Sequence, residues 1–395
     1  MKSSIMLLFH CLAIAAMIIH ISLCSEYFEG SAFWTYLTYL CELLFLVVSF
    51  QFISLKIKLF SIEKYGLFYF IFITLISILY GLDSSNLIAL VGRFIEISTV
   101  LMIVHIHKDN LNPILLTCTF TLAFLVYLNF YNLLENPLGM INSSGEPYYL
   151  LGTNYNQIGT KILFAFLFSI TASNINKWFI LNNIGIGVLG LTSVLIVGSM
   201  TSVVSLSILM IAYIISWNHK VNKLLLWILL GFFCFFQIFI VFGGEHLSGD
   251  FINDFLDSIG KDSTFTGRTR LWTRSFLYFG DSPIWGHGFI TPSDYANSMF
   301  FHGDARNSHN YIYNLLHKGG IVLFYVVIKL LITSFRNIKS SFDIGVGYMV
   351  VISTVVLFIM MLFECYDTFW VFMLLIMMFY FPFYSKQKDV SYENC

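Results

Sequence analysis

The chain has 395 residues, of which 58% are hydrophobic and 11% charged, with a formal net charge of −1 and a mean hydropathy of +0.80. A soluble domain carries about a quarter charged residues, so this composition excludes a water-soluble body and makes the bilayer the solvent for most of the chain. The near-zero net charge points to no partner, since the charges are segregated along the sequence, and no nucleic-acid partner is expected.

A membrane helix needs about 20 apolar residues. Windows of that kind fall at 5–24, 33–53, 65–82, 87–104, 113–133, 158–174, 178–198, 201–217, 223–242, 310–333, 344–363 and 367–384. The predicted fold is all-α, a polytopic bundle of about twelve transmembrane helices with one long outward loop containing short helices. Residues 1–242 hold nine spans, 243–309 the loop, and 310–395 three more spans and a short tail.

The first window, Ile5 to Cys24, is too long for a signal-peptide core and lacks a small-x-small cleavage site, so it reads as a retained anchor. Leu23 is not the small residue that lipidation at Cys24 would need. In the fourth window, Arg93 and Glu96 stand three apart on one helix face. Charges are costly in lipid, so both should face the bundle interior, as a structural ion pair or as the floor of a substrate groove. Lys161 and Lys318 each lie one or two turns inside the outer ends of their spans and are candidates to line one outward cavity. Windows seven and eight, joined only by Gly198-Ser199-Met200, read either as two helices or as one broken helix and its partner. Lys329 lies near an inner end and can snorkel.

The long loop starts with a helical pattern, Leu247 to Ile259, carrying Asp250, Asp254 and Asp257 on its wet side. Basic residues follow at Lys261, Arg268, Arg270, Arg274 and Arg306. Thr266 or Thr269 is suited to cap a second helix, on which Arg270 and Arg274 share one face. Trp272 and Phe276 share another, suited to the headgroup level. Such a helix would lie along the membrane surface with its guanidinium groups turned toward a diphosphate, whose oxygens the planar fork binds in pairs. The competing reading pairs those arginines with the acidic helix before them. The glycine-rich stretch at 280–289 lacks the following helix of a phosphate-cradling loop. His309, at the start of the tenth span, either accepts a proton from a sugar hydroxyl, as an imidazole of ordinary pKa near 6.5 is able to, or caps the helix. His302, Asp304 and His309 match no regular metal-ligand spacing, so no metal or other cofactor is expected. None of the seven cysteines lies in the loop, and no disulfide framework is read.

The distribution of charge orients the spans. With the N-terminus in the cytoplasm, inside segments hold Lys2, Lys56, Lys58, Lys64, Lys108, Lys177, Lys220, Lys223, Arg336, Lys339, Lys386 and Lys388. The short outside loops hold only acids: Glu26, Glu29, Asp83, Glu135, Glu146, Glu364 and Asp367. Both termini are therefore expected in the cytoplasm and the long loop in the periplasm. The basic residues of that loop, with Arg93, Lys161 and Lys318, oppose the rule, and an anionic ligand on the outer face is the simplest reason.

These motifs resemble the O-antigen polymerase and ligase superfamily, and within it the polymerases of surface-polysaccharide repeats. Thr264-Phe265-Thr266-Gly267-Arg268 through Trp272, followed by Pro283-Ile284-Trp285-Gly286-His287-Gly288, is similar to its T-x-T-G-R-x-x-x-W and P-x-x-G-x-G stretches. Ser308-His309-Asn310-Tyr311 with Lys318-Gly319-Gly320-Ile321 is similar to its loop exit, and Asn154-Tyr155-Asn156 to the N-x-N turn before its sixth span. The resemblance implies a multi-pass protein of the bacterial inner membrane that joins undecaprenyl-diphosphate-linked oligosaccharides by inverting transfer on the periplasmic face. It implies His309 and Arg268 as catalytic residues. Arg270, Arg274, Arg306, Arg93, Lys161, Lys318 and Asn156 would bind substrate or its diphosphate. A flippase and a chain-length regulator are the implied protein partners, with membrane lipids around them. Two alternatives stand beside polymerase: a ligase transferring glycan to lipid A–core, and a lipid-linked oligosaccharide flippase or transporter. One departure is Met200, where relatives often carry an arginine after the serine. Arg93, Lys161 and Arg306 are candidates to replace it.

Overall fold

The computed structural model describes residues 2–28, 32–82, 84–141, 145, 147–215, 219–242, 268–289, 295, 307–342, 345–366 and 368–392, and the counts and absences below refer to these. Nine helices come first: α1 (Lys2–Ser22), α2 (Ala32–Ser54), α3 (Ser61–Leu79), α4 (Ser84–Ile106), α5 (Asn112–Glu135), α6 (Tyr155–Ala172), α7 (Phe179–Ile196), α8 (Met200–Ile215) and α9 (His219–Phe235), the last running on into a π-helical turn at Phe236–Val241. Then come α10 (Arg268–Asp281), α11 (Tyr311–Ile338), α12 (Gly345–Met360) and α13 (Thr368–Tyr392). The only strands among the described residues, Met140–Ile141 and Pro147–Tyr148, pair antiparallel before α6.

A helix occupies each of the twelve apolar windows. Eight helices, α1 to α5, α7, α9 and α11, are long and apolar enough to cross a membrane, while α8, α12 and the apolar part of α13 are shorter. The chain is a multi-pass, all-helical membrane protein. On α2, Tyr36, Leu43, Leu46, Phe50 and Ile53 are exposed; steps of three, four and seven residues put them on one stripe, as expected of a lipid-facing surface. In contrast α6 is buried on every side from Ile158 to Ala172, and α13 from Phe369 to Ile376. These two helices form the centre. Windows seven and eight are two separate helices, α7 and α8, parted at Gly198, whose φ is +74°.

One end of the bundle carries polar pairs between helices, with Glu63 Oε2 left unbonded. His105 on α4 lies 3.0 Å from the Glu63 carboxylate on α3, and the Tyr380 hydroxyl of α13 donates to the same oxygen. His10 on α1 contacts His107 at 2.8 Å and Gln51 of α2 at 2.6 Å. Side-chain bonds of this kind inside a membrane contribute about 0.6 kcal/mol on average and up to about 1.7.

The other end gathers the turns that follow α1, α3, α5, α7 and α12. Backbone bonds stitch it together, among them Cys24 N to Leu150 O at 2.9 Å and Tyr311 N to Met361 O at 3.0 Å. Here α11 is broken: Gly319 and Gly320 leave helical geometry, Gly320 at φ +59°. The break frees carbonyls and N–H groups that lipid cannot satisfy, and the loop after α10 takes them up reciprocally. His287 N and Gly288 N donate to His317 O (2.7 Å) and Lys318 O (2.9 Å), while Ile321 N and Val322 N donate to Pro283 O (2.9 Å) and Ile284 O (3.3 Å). A Cβ at Gly286 would stand 2.5 Å from Gly319 N, and one at Gly320 would overlap the Ile284 carbonyl. The P-x-x-G-x-G stretch and the Lys318-Gly319-Gly320-Ile321 stretch are thus the two halves of one docking joint.

Trp272 departs from expectation. It is fully buried and its indole N–H donates to Ser308 O at 3.1 Å, whereas Phe276 on α10 is exposed. A buried indole needs a partner for its N–H, and the loop just before α11 supplies it. Trp272 therefore anchors α10 to the loop exit rather than sitting at the headgroup level. Thr269 lies inside α10 and is not its cap, while Thr266 and the Leu247–Ile259 pattern lie outside the described residues.

Candidate functional site

At the stitched end lies a cavity of about 920 Å³, bordered by α1, α2, α3, α4, α6, α11 and α13. Arg93, Lys161 and Lys318 all line it, so cations separated by up to 225 positions in sequence meet in one place. Arg93 donates to Glu96 at 2.6 Å, and Glu96 is held from its other oxygen by His20 Nδ1, also at 2.6 Å. His20 in turn contacts the Thr38 hydroxyl at 3.1 Å and stacks on Trp34. Arg93 and Glu96 form an ion pair, and both line the cavity. Lys161 is buried, and Lys318 sits 4.8 Å over the ring of Phe289, whose backbone N–H donates to Ser77 Oγ at 2.8 Å. The Lys318 geometry is a cation–π contact.

Beside the cavity is a second group of polar residues. Asn310 caps α11, its Oδ1 accepting from Tyr313 N at 3.1 Å. With that role taken, His309 is not the cap. It adopts φ +48°, a left-handed conformation uncommon outside glycine. Its N–H donates to Asn307 Oδ1 at 2.7 Å, and its Nδ1 lies 3.2 Å from Glu364 Oε1. The latter is an ion-pair distance, although its angle falls short of a directed hydrogen bond. The other Glu364 oxygen accepts from Asn156 Nδ2 at 3.1 Å, and Asn156 Oδ1 accepts from Ser199 at 3.0 Å.

The N-x-N turn explains this placement. Asn154 caps α6, accepting from Asn156 N and Gln157 N, which sets the first helical turn so that Asn156 meets Glu364 and Ser199. Burial alone would push the Glu364 carboxyl up. The His309 imidazole, the Cys365 N–H and the charge of Arg268 outweigh it and hold the group below the usual carboxylate range. The neighbours Asn307, Gln157 and Cys365 line the cavity, while His309, Glu364 and Asn156 stand next to it and are not among its lining residues.

Of the residues expected to act, the structure brings His309 and Asn156 to Glu364, on which the charge of Arg268 also acts, and Arg93, Lys161 and Lys318 around the cavity. Arg274 is half-buried on α10 but not among the cavity-lining residues. Arg306, Lys261, His302, Asp304, Thr264 and the side chain of Arg270 lie outside the described residues, as does the acidic stretch proposed to pair with the arginines. Met200 is exposed and away from the cavity, whereas Ser199 before it is buried against Asn156. Glu364 and His20 escaped the sequence reading. Glu364 looked like one more acid in a short outer turn, and nothing in its spacing tied it to His309, 55 positions away.

Residues 185–328 match the family model described as O-antigen ligase. Comparison with curated proteins and with solved structures gives no match. The matched segment holds the docking joint, α10 and His309, while Asn156, Lys161 and Glu364 lie outside it. Over this segment the chain is similar to the O-antigen ligase family, which supports the resemblance to the O-antigen polymerase and ligase superfamily.

Proposed function

We propose that the chain is a surface-polysaccharide polymerase of the inner membrane, with twelve spans, cytoplasmic termini and its cavity open to the periplasm. It joins polyprenyl-diphosphate-linked oligosaccharide repeats. The observation that carries this reading is a cavity lined by Arg93, Lys161 and Lys318, with the His309–Glu364 pair beside it. The imidazole suits a sugar hydroxyl, and the cations suit a diphosphate.

In this reaction the acceptor hydroxyl attacks the anomeric carbon of the donor glycan. A new glycosidic C–O bond forms as the C–O bond to the lipid diphosphate breaks, and the diphosphate leaves with the bonding electron pair. His309 takes the hydroxyl proton as general base. Glu364 orients the ring and balances the imidazolium that forms. Arg268 and the cavity cations stabilise the charge developing on the leaving group, a preorganised electrostatic role. The diphosphate departs already ionised, so no general acid is needed, and one direct displacement inverts the anomeric centre.

A ligase acting on lipid A–core has the same chemistry with a different acceptor, and the description of the matching family model favours it. A deletion strain separates the two readings: loss of a polymerase leaves a single-repeat cap on lipid A–core, and loss of a ligase leaves none. Conversion of purified lipid-linked repeats to longer chains by the purified protein tests the polymerase directly. Translocation without any new glycosidic bond would overturn it in favour of a flippase.

A further inference from the structure

Some polar atoms at the cavity wall have no role in the reaction just described. His317 on α11, Thr160 on α6, and Tyr366 and Trp370 beside the start of α13 all line the cavity, and none is more than 5% exposed. Both ring nitrogens of His317 and the indole N–H of Trp370 are buried without a hydrogen-bond partner. The hydroxyls of Thr160 and Tyr366 face each other, and neither makes a directed bond elsewhere. Buried polar groups are nearly always satisfied, and leaving one unmade costs about 1–3 kcal/mol. His317 and Trp370, with the Thr160 and Tyr366 hydroxyls beside them, therefore suit a ligand that supplies several neutral donors and acceptors at once.

The same wall is aromatic. Tyr295 stacks on His317 with ring centroids 5.0 Å apart, and Trp370 packs against Phe164 at 4.7 Å. Position adds a further constraint. Thr160 and His317 immediately precede Lys161 and Lys318, so each neutral group lies one residue from a cavity cation. A ligand spanning both must be neutral and hydroxyl-rich at one end and anionic at the other.

We propose that His317, Trp370, Thr160 and Tyr366 form a sugar seat, which holds the pyranose attached to the diphosphate while the cations hold the phosphates. The proposal rests on the lipid-linked glycan reading above and goes beyond it by dividing the cavity into two subsites. Small side-chain rotations bring the buried atoms against the sugar hydroxyls. A neutral imidazole donates from one nitrogen and accepts at the other, so His317 reads a hydroxyl rather than a phosphate. A site built to bond a hydroxyl rejects an analogue that lacks it, because its own groups are then stranded.

The test uses the purified full-length protein in lipid nanodiscs and two probes, a polyprenyl diphosphate and the same lipid carrying one N-acetylhexosamine. Wild type should bind the sugar-bearing probe more tightly. Trp370→Phe, which keeps the ring and removes the N–H, and Thr160→Val should each weaken that probe about tenfold and leave the bare diphosphate unchanged. Lys161→Gln should weaken both probes alike. Equal binding of the two probes by wild type, or equal losses for both probes in Trp370→Phe and Thr160→Val, overturns the sugar seat while the diphosphate reading stands. Failure of wild type to bind either probe overturns the lipid-linked substrate itself, and the seat with it. A thermal melt of each variant separates these outcomes from misfolding.

Discussion

The two ends of the bundle differ in how their buried histidines are engaged. At the end bearing His105 and His107, the histidines are engaged: His105 with Glu63, and His10 with His107 and Gln51. At the end bearing the cavity, Glu96 and Glu364 are held, but His317 and Trp370 are left with buried, unpartnered nitrogens beside Lys161 and Lys318. A polar group in a membrane protein can serve either packing or a ligand. Unpartnered atoms occur at both ends, Glu63 Oε2 among them; those of His317 and Trp370 border the large cavity, where a ligand can supply partners. Hydrophobicity does not distinguish the ends, because both lie within apolar helices.

The comparison can be broken most severely at His309. His309→Ala should lower polymerisation by about 10²–10⁴-fold, read as single-repeat surface polysaccharide in place of ladders on a gel. Ladders of normal length would remove the general-base assignment. Removing one charge that stabilises the leaving group should cost about 10²–10³ in turnover, so Arg268→Ala is expected to fall in that range in a purified lipid-linked assay. An unchanged rate would separate Arg268 from the reaction.

Glu364 gives an intermediate test with a defined sign. Its carboxyl sits below the ordinary range in the folded chain, so its ionisation contributes stability that is present above the ordinary value of 4.5 and lost as pH falls through its folded value. Thermal melts of wild type should therefore weaken on acidification below about pH 4.5, and Glu364→Gln should remove that component while lowering turnover through His309. A variant with the same acid profile as wild type would show that the pair contributes nothing.

The smallest effect is expected at the opposite end. His105→Phe should cost about 1 kcal/mol of stability, with turnover per folded molecule unchanged. If turnover fell as far as in Arg268→Ala, the contrast between the two ends would fail.

Much of this was legible in the chain itself. Apolar windows located twelve helices because a span must be continuous and its length is set by the bilayer. Arg93, Lys161 and Lys318 stood out because charge in a membrane segment needs a reason. The two lysines are expected to line one cavity, and the structure adds Arg93 to its wall. Trp272 misled for a physical reason: an indole suits either the headgroup level or a buried site with a carbonyl in reach, and sequence does not show where Ser308 lies.

What the sequence determined by itself was local: helix positions and which charges had to face inward. These follow from period and solvent. Only the tertiary structure decided the partners. Glu364 joins His309 and Asn156, His20 joins Glu96, and the broken α11 receives the Pro283–Gly288 loop, because helices far apart in the chain are packed side by side. Composition constrains each helix against lipid, but which polar atoms end up unpaired at a shared wall depends on packing between helices, which no single segment encodes.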